Sequence, residues 1–320
     1  NCCLFATKAT NQTVTRFQKL AIVTTTATFL LIGLGGFVRA AGAGLGCPDW
    51  PKCFDRWIPP TEISQLPPHI EPSSFNFRLA WIEYINRLVG IAIGILILAT
   101  AGLAWLDHRE CRKVLLPALL TVPLVGFQGW FGGQVVAYEL DPRFVTVHLL
   151  VAIGIIALLI TATSHSFPVV SSNLTVEKLP EKLLIRVAYI VMSVVSFQIL
   201  LGALVRGSID MVARDAQNLA RGSLLNEIGW MDDAHRFFGS AVIILCAILA
   251  TLTVRGANVT PTLKRLVTIP LALSVIQFTV GIGLAYLALP PSLQVAHVLC
   301  ASLLIGSLLL YTLQLQASYV

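Results

Sequence analysis

Residues 81–106 read WIEYINRLVGIAIGILILATAGLAWL, and residues 230–254 read WMDDAHRFFGSAVIILCAILATLTV. Each opens on a tryptophan, passes through one polar turn, and then stays apolar long enough to cross the roughly 30 Å hydrocarbon core of a bilayer. Comparable apolar runs recur on either side, and together they predict transmembrane helices at about 17–41, 81–106, 113–137, 142–164, 184–206, 231–254, 264–288 and 292–316. The whole chain agrees. It has 320 residues, 56% hydrophobic and 12% charged, with mean hydropathy +0.80. A soluble domain carries about 25% charged residues, so too little polar surface remains to cover a soluble fold.

The net charge of +6 does not indicate nucleic-acid binding, because the basic residues sit in short clusters between apolar runs. Such clusters set membrane orientation. One side receives Lys8, Arg16 and Lys19, then Arg109, Arg112 and Lys113, then Lys178, Lys182 and Arg186, and finally Arg255, Lys264 and Arg265. The acids there are Asp107, Glu110, Glu177 and Glu181, whereas Asp210, Asp215, Glu227, Asp232 and Asp233 fall on the other side. The basic side is expected to be cytoplasmic and to hold both termini. Loops 42–80 and 207–230 then face outward, and Trp50, Trp57, Trp81 and Trp230 mark the outer interface. Residues 1–16 are polar, include Cys2 and Cys3, and lack the apolar core and cleavage site of a secretory leader.

The two opening stretches are also copies of one pattern. Trp81, Asn86, Arg87 and Gly90 match Trp230, His235, Arg236 and Gly239; Gln128 and Gly132 match Gln277 and Gly281; His148 matches His297. Every pair keeps the same offset of 149 residues (148 to 297). GGFVR at 35–39 resembles GALVR at 202–206, at a different offset because loop 42–80 is longer. The expected architecture is an all-α membrane protein of eight helices, arranged as two tandem four-helix bundles related by a pseudo-twofold axis along the membrane normal. The N-terminal half would be 1–164, the cytoplasmic linker 165–183 and the C-terminal half 184–320.

The chemistry concentrates in histidines. His69 falls in an outer loop, and His108 and His165 at cytoplasmic helix ends. His148, His235 and His297 lie near the outer ends of apolar helices, at one depth. An ionisable group inside a membrane span points to function, although a single such histidine can simply bond a backbone carbonyl. Two facing helices of a four-helix bundle can each present an imidazole to a metal held between them. Two imidazoles suit heme iron, whose other ligands come from the porphyrin. Zinc would need three or four protein ligands. Arg87 and Arg236 are candidates for heme propionates or, equally, interfacial anchors; Arg39 and Arg206 carry the same two readings. Cys47 and Cys53, in GCPDWPKC, share an oxidising compartment that permits a disulfide, either a loop staple or an exposed redox shuttle. Cys111, Cys246 and Cys300 read as ordinary buried or reduced thiols. Glu83, one turn before Asn86, could relay a proton near the heme pocket or be a solvated helix-end charge; Asp232 stands at the matching place.

Taken together these residues resemble the heme A synthase family, membrane enzymes that convert heme O to heme A. RAAGAGLGCPDWPKC at 39–53 is similar to that family's first outer loop, and EYINRLVG at 83–90 to its second-helix motif Glu-x-x-His-Arg. His148, His235 and His297 match three of the family's four heme-ligand histidines. Asn86 stands where the family has the fourth, and loop 207–230 lacks the second cysteine pair of some members. The resemblance implies a heme b held by His235 and His297 in the C-terminal half and the substrate heme O in the N-terminal half. It implies catalytic roles for Glu83 and for the Cys47–Cys53 pair, and oxidation of a porphyrin methyl to a formyl group for cytochrome oxidase maturation.

Two other readings use the same histidines: a diheme b-type electron-transfer protein, and a heme-binding assembly factor without activity. The expected partners are heme O and the enzyme that makes it, membrane lipids, an unidentified electron donor or acceptor, and no nucleic acid; homo-oligomerisation stays open. The charge pattern fits a bacterial plasma membrane or an organelle inner membrane.

Overall fold

The computed structural model describes residues 13–167, 179–215, 223–256 and 259–318. Cys2, Cys3, Lys8, Glu177, Lys178 and the side chains of Glu181 and Asp215 lie outside what is described. The described residues form helices and loops without a β-strand. The helices are α1 (Arg16–Ala40), α2 (Phe77–His108), α3 (Arg112–Ala137), α4 (Pro142–His165), α5 (Leu179–Asp215), α6 (Leu224–Glu227), α7 (Trp230–Arg255), α8 (Pro261–Leu266), α9 (Thr268–Tyr286) and α10 (Pro291–Ala317). Eight spans are long and apolar enough to cross a membrane, α8 and α9 together making one of them, Pro261–Tyr286. The eight expected spans are all present.

Helices are the outcome because lipid offers backbone groups no partners, so each span must satisfy its own. The ends are punctuated by side chains. Thr15 and Gln18 form a reciprocal capping box on α1, Asn76 caps α2, and Thr260 caps α8 ahead of Pro261. Asp141 caps α4 ahead of Pro142. The adjacent Arg143 guanidinium holds its carboxyl down at about 2, so this cap stays ionised at any ordinary pH.

Several boundaries differ from the sequence reading. α2 begins at Phe77, four residues early (77 against 81), because Asn76 supplies the cap. α5 runs to Asp215, where a loop from 207 was expected. An Arg206–Asp210 pair at 2.8 Å spans the extra turn, and Val205 and Ile209 pack on Leu224, Ile228 and Leu289. The extension therefore has its own small apolar core.

α1 packs on α2, α2 on α3, α3 on α4, and α4 returns to α1. α5, α7, α9 and α10 close on one another in the same way. α1–α10, α4–α5 and α4–α10 contacts join the two sets. Polar bonds tie neighbours where lipid is excluded: Thr24 to Thr100 at 2.8 Å, Thr253 to the Tyr311 hydroxyl at 2.6 Å, and Gln314 to Ser164 at 3.0 Å. Leu30, Ile91 and Ile244 are each about 60% exposed, as lipid-facing side chains should be. Arg39 of α1 and Arg206 of α5 both pair with Asp210 at the end of the bundle that carries the histidines.

The loop between α1 and α2 folds down over that end. Cys47 and Cys53 form a disulfide, and both are essentially buried, with Phe54 and Ala80 in the same cluster. Of the two readings, loop staple and exposed redox shuttle, the burial fits the staple. Phe54 and Asp55 adopt positive φ, 56° and 59°, and the Asp49 carboxylate accepts both of their N–H groups at 2.6 and 2.9 Å. Trp50 lies on Gly133 of α3, where a Cβ would come within 2.8 Å of the indole. Trp81 donates to the Pro60 carbonyl at 3.3 Å. Gly46 is pressed so closely on α2 that a Cβ would stand 2.2 Å from the Leu79 carbonyl oxygen.

Backbone cannot yield as a side-chain tip can, so Gly46→Ala is expected to cost about 1–3 kcal/mol. A thermal unfolding series on detergent-purified protein should show a lowered midpoint, with Gly35→Ala, where nothing lies within 4 Å, far less affected. Equal midpoints for the two variants would show that the loop is not seated this way.

Candidate functional site

α7 and α10 bring two of the three membrane histidines together. The rings of His235 and His297 have centres 6.3 Å apart and planes 63° from parallel. Two imidazole nitrogens each about 2 Å from a shared metal place ring centres about 6 Å apart. The observed spacing would let His235 and His297 hold one metal ion between them. Each ring rests on a glycine of a neighbouring helix: a Cβ at Gly202 of α5 would come within 2.8 Å of His235 Cε1, and one at Gly281 of α9 within 3.4 Å of His297 Cε1. Gln198 of α5 reaches His235, its amide nitrogen 3.0 Å from Nδ1 and 2.8 Å from the carbonyl oxygen. Arg236 turns to Asp232 at 2.5 Å and remains 45% exposed.

The first four helices repeat this only in part. His148 of α4 rests on Gly132 of α3, with 3.3 Å from a Cβ there to Cε1, and Gln128 donates to the His148 carbonyl at 2.9 Å. No imidazole faces it, because position 86 is asparagine. The Asn86 amide interacts instead with the Glu83 carboxylate on the same helix. Nothing lies within 4 Å of a Cβ at Gly35, the glycine that matches Gly202.

Glu83 is only 6% exposed, so it is not a solvated helix-end charge. Arg87 bonds it at 3.0 Å, and the pair is buried on both sides. The same guanidinium donates to the backbone carbonyls of Asp49, Lys52 and Cys47 at 2.9, 2.7 and 3.3 Å. These bonds occupy four of the five N–H donors of an arginine. Arg87 thus ties three things together: the carboxylate, α2 and the disulfide loop. Sequence reasoning carried no sign of this, since backbone carbonyls have no sequence signature.

A second missed feature is aromatic. Tyr138 stacks on Phe144 at 4.3 Å, Phe144 on Phe131 at 5.5 Å, and Phe131 lies near-parallel to His148 at 6.5 Å. The matching positions in the second half are Leu287, Leu293 and Val280, so this wall belongs to one site alone. Alternating the two halves in register would have revealed it. His69 pairs with Asp55 on the surface at 2.9 Å, and His165 bonds the Thr161 carbonyl at 2.8 Å. Cys111, Cys246 and Cys300 are buried and take no part in the disulfide.

Buried polar atoms without partners are rare in folded proteins and call for an explanation each. Among the described residues they are the side-chain oxygens of Asn86, Gln128, Gln198 and Gln277 and Nδ1 of His148 and His297. Gln128 and Gln198 bond the histidines directly, and Asn86 and Gln277 stand at the positions that match His235 and Gln128 in the other half. No group of three His, Cys, Asp or Glu side chains converges among the described residues, so the donor set does not suit a metal held by protein alone. Two imidazoles, apolar walls and orphan polar atoms fit an iron porphyrin, which brings its own four nitrogens.

Similar proteins bear directly on this site. A relative from Shewanella oneidensis named Heme A synthase is 28% identical, over 89% of this chain and 92% of its own length. Relatives of the same name from Wolbachia pipientis and Ehrlichia ruminantium are 25% and 24% identical, covering 87% and 91% of the chain and 91% of each relative. The profile of the cytochrome oxidase assembly protein family matches residues 18–309, which takes in every candidate site residue. The chain belongs to the cytochrome oxidase assembly protein family, the heme A synthase family that its motifs resemble.

Proposed function

We propose that this chain is an oxidoreductase that converts a methyl group of heme O to a formyl group, yielding heme A for cytochrome oxidase. The observation that carries the reading is the His235–His297 pair with ring centres 6.3 Å apart, each ring set against a glycine, in a chain whose relatives are named Heme A synthase. The eight helices divide into two four-helix units about a pseudo-twofold axis, each with its own heme. His235 and His297 hold heme b. His148 and the Asn86 position receive heme O. Iron in these porphyrins supplies electron transfer and the oxidising chemistry.

The protein's part follows from the site. Two strong imidazole ligands close the C-terminal position, which suits passing electrons rather than binding substrate. His148 is a single strong ligand, because an amide binds iron poorly. That leaves room for exchange and lets a substrate heme enter and leave. Glu83 is held against Arg87, so its carboxylate is fixed in place and can accept a proton from a group presented at the outer end of α2. The Cys47–Cys53 loop excludes water from that carboxylate and, through the Cys47 carbonyl, shares the Arg87 guanidinium with it. Arg236, less committed than Arg87, serves a heme propionate in the C-terminal unit. The chain sits in a bacterial plasma membrane or organelle inner membrane with both termini on the basic side.

Asn86 favours one competing reading, a heme-binding assembly factor without activity. Extraction of pigments from protein expressed with the heme O supply decides between them. Heme b together with heme O or heme A supports the enzyme; heme b alone, with no heme A formed, supports the inactive relative.

His297→Ala should abolish the low-spin spectrum of the C-terminal heme, leaving it high-spin or lost. A spectrum identical to the unmodified protein would refute the ligand pair. Asn86→His should add a second low-spin heme, since the space over Gly35, the match of Gly202, is open. Two low-spin hemes already present in the unmodified protein would contradict the open N-terminal site.

A further inference from the structure

A continuous line of aromatic rings follows the outer half of α3 and the start of α4. Ring centres of Tyr138 and Phe144 are 4.3 Å apart, those of Phe144 and Phe131 5.5 Å, and those of Phe131 and Phe127 5.3 Å. Trp130 closes on Phe127 and Phe131 at 5.6 and 6.1 Å. The line passes His148, whose ring lies near-parallel to Phe131 at 6.5 Å. Phe131 and Phe144 are half-buried, whereas Tyr138, Trp130 and Phe127 are exposed.

Interfacial anchoring does not account for this line. Belts of Trp and Tyr sit at headgroup level, whereas Phe127 precedes the end of α3 at Ala137 by about 15 Å of helix rise. A general demand for apolar surface does not account for it either. At the constant offset of 149 (148 to 297) the same positions are Ile276, Thr279, Val280, Leu287 and Leu293, without a single ring. The halves thus share the histidine and differ in what stands beside it. Lipid tails are as apolar as leucine, so an aliphatic face cannot select one chain from another inside a membrane. Rings can, because their faces and edges add contacts beyond buried area.

We propose that these rings seat the prenyl side chain of the heme received at His148, and so direct the prenylated heme to the first half rather than the second. The proposal rests on the reading that the first half takes heme O. Heme O carries a long prenyl side chain where heme b carries a vinyl group. A heme held at His148 sits beside Phe131, and the line of rings leads from there to the exposed Phe127 and Trp130. Residues 127 to 138 cover about 16 Å of rise along α3, a length that suits an extended chain. A prenyl chain is branched and partly unsaturated, hence stiffer than an acyl chain, and loses less freedom when laid against rigid rings.

The test uses full-length protein in detergent with heme b in its C-terminal site. Heme O or heme b is then offered to the first half, and loss to a heme scavenger is followed by visible spectra. The unmodified protein should release heme b from the first half about tenfold faster than heme O. Phe131→Val combined with Phe144→Leu, the side chains of the second half, should speed heme O loss about tenfold and leave heme b loss unchanged. An unchanged C-terminal spectrum shows that the variant is folded. Phe127→Ile, at an exposed ring that packing does not need, should speed heme O loss in the same direction. Excess farnesol should speed heme O loss from the unmodified protein, and the saturated alcohol dodecanol should do so less. Equal release of the two hemes by the unmodified protein, or equal acceleration of both in the variants, overturns the proposal. Equal competition by dodecanol also overturns it, marking an ordinary lipid groove. His148→Ala tests the site separately. If heme O retention is unchanged there, the reading of the first half as the heme O site fails. If both hemes are lost while the ring variants alter neither, the site stands and only the role of the rings falls.

Discussion

The close approach of an imidazole ring to a neighbouring helix backbone is the constraint on which the rest of this molecule turns. At Gly202 a Cβ would come within 2.8 Å of the ring edge, closer than atoms can pack, and at Gly132 and Gly281 it would stand 3.3 and 3.4 Å away, in tight contact. Helices can approach that closely only over small residues, a packing solution that suits lipid, where no hydrophobic force drives helices together. Once the rings are seated, the depth of α4, α7 and α10 relative to α3, α5 and α9 is fixed. The loops that cap the same end must then fit over a surface already determined by the histidines.

What covers the two clusters is different. Over the first lies a loop folded on its own disulfide and pinned by Arg87, with an aromatic wall of Tyr138, Phe144 and Phe131 at the side. Over the second, α5 simply continues, and Ile209, Leu224, Ile228 and Leu289 make a small apolar plug. Asp210 on that extension accepts Arg39 from one set of helices and Arg206 from the other, so the outer cover also links the sets. The two covers differ in kind: a disulfide loop tied through Arg87 to the buried Glu83 of α2 over one cluster, and an apolar plug over the other.

Much of this was legible in the sequence because lipid imposes long apolar runs, and the histidines stand out against them. The eight spans, the three histidines and the disulfide partners follow from residue type and spacing. The failures have physical causes. Helix α5 overran its apolar stretch because Arg206 and Asp210 pair along it and Ile209 finds a pocket, both properties of packing. Arg87 acts on backbone carbonyls, which every residue possesses, so its partners leave no mark in the sequence. Gln198 was overlooked because its counterpart is leucine, and a search for matching residues passes over a pair that differs.

The burial of Cys47 and Cys53 beneath Phe54 sets the kinetics of any exchange there. A thiolate must approach in line with the sulfur–sulfur bond, and a buried bond presents no such line of approach to a protein-sized donor. Exchange then waits on local opening of the segment, and opening means breaking the Arg87 bonds to Cys47, Asp49 and Lys52 together. The rate-limiting event would be a conformational fluctuation whose frequency is independent of reductant concentration once reductant is abundant. Such a disulfide reports on whether its lid has lifted before it reports on the redox state of its surroundings.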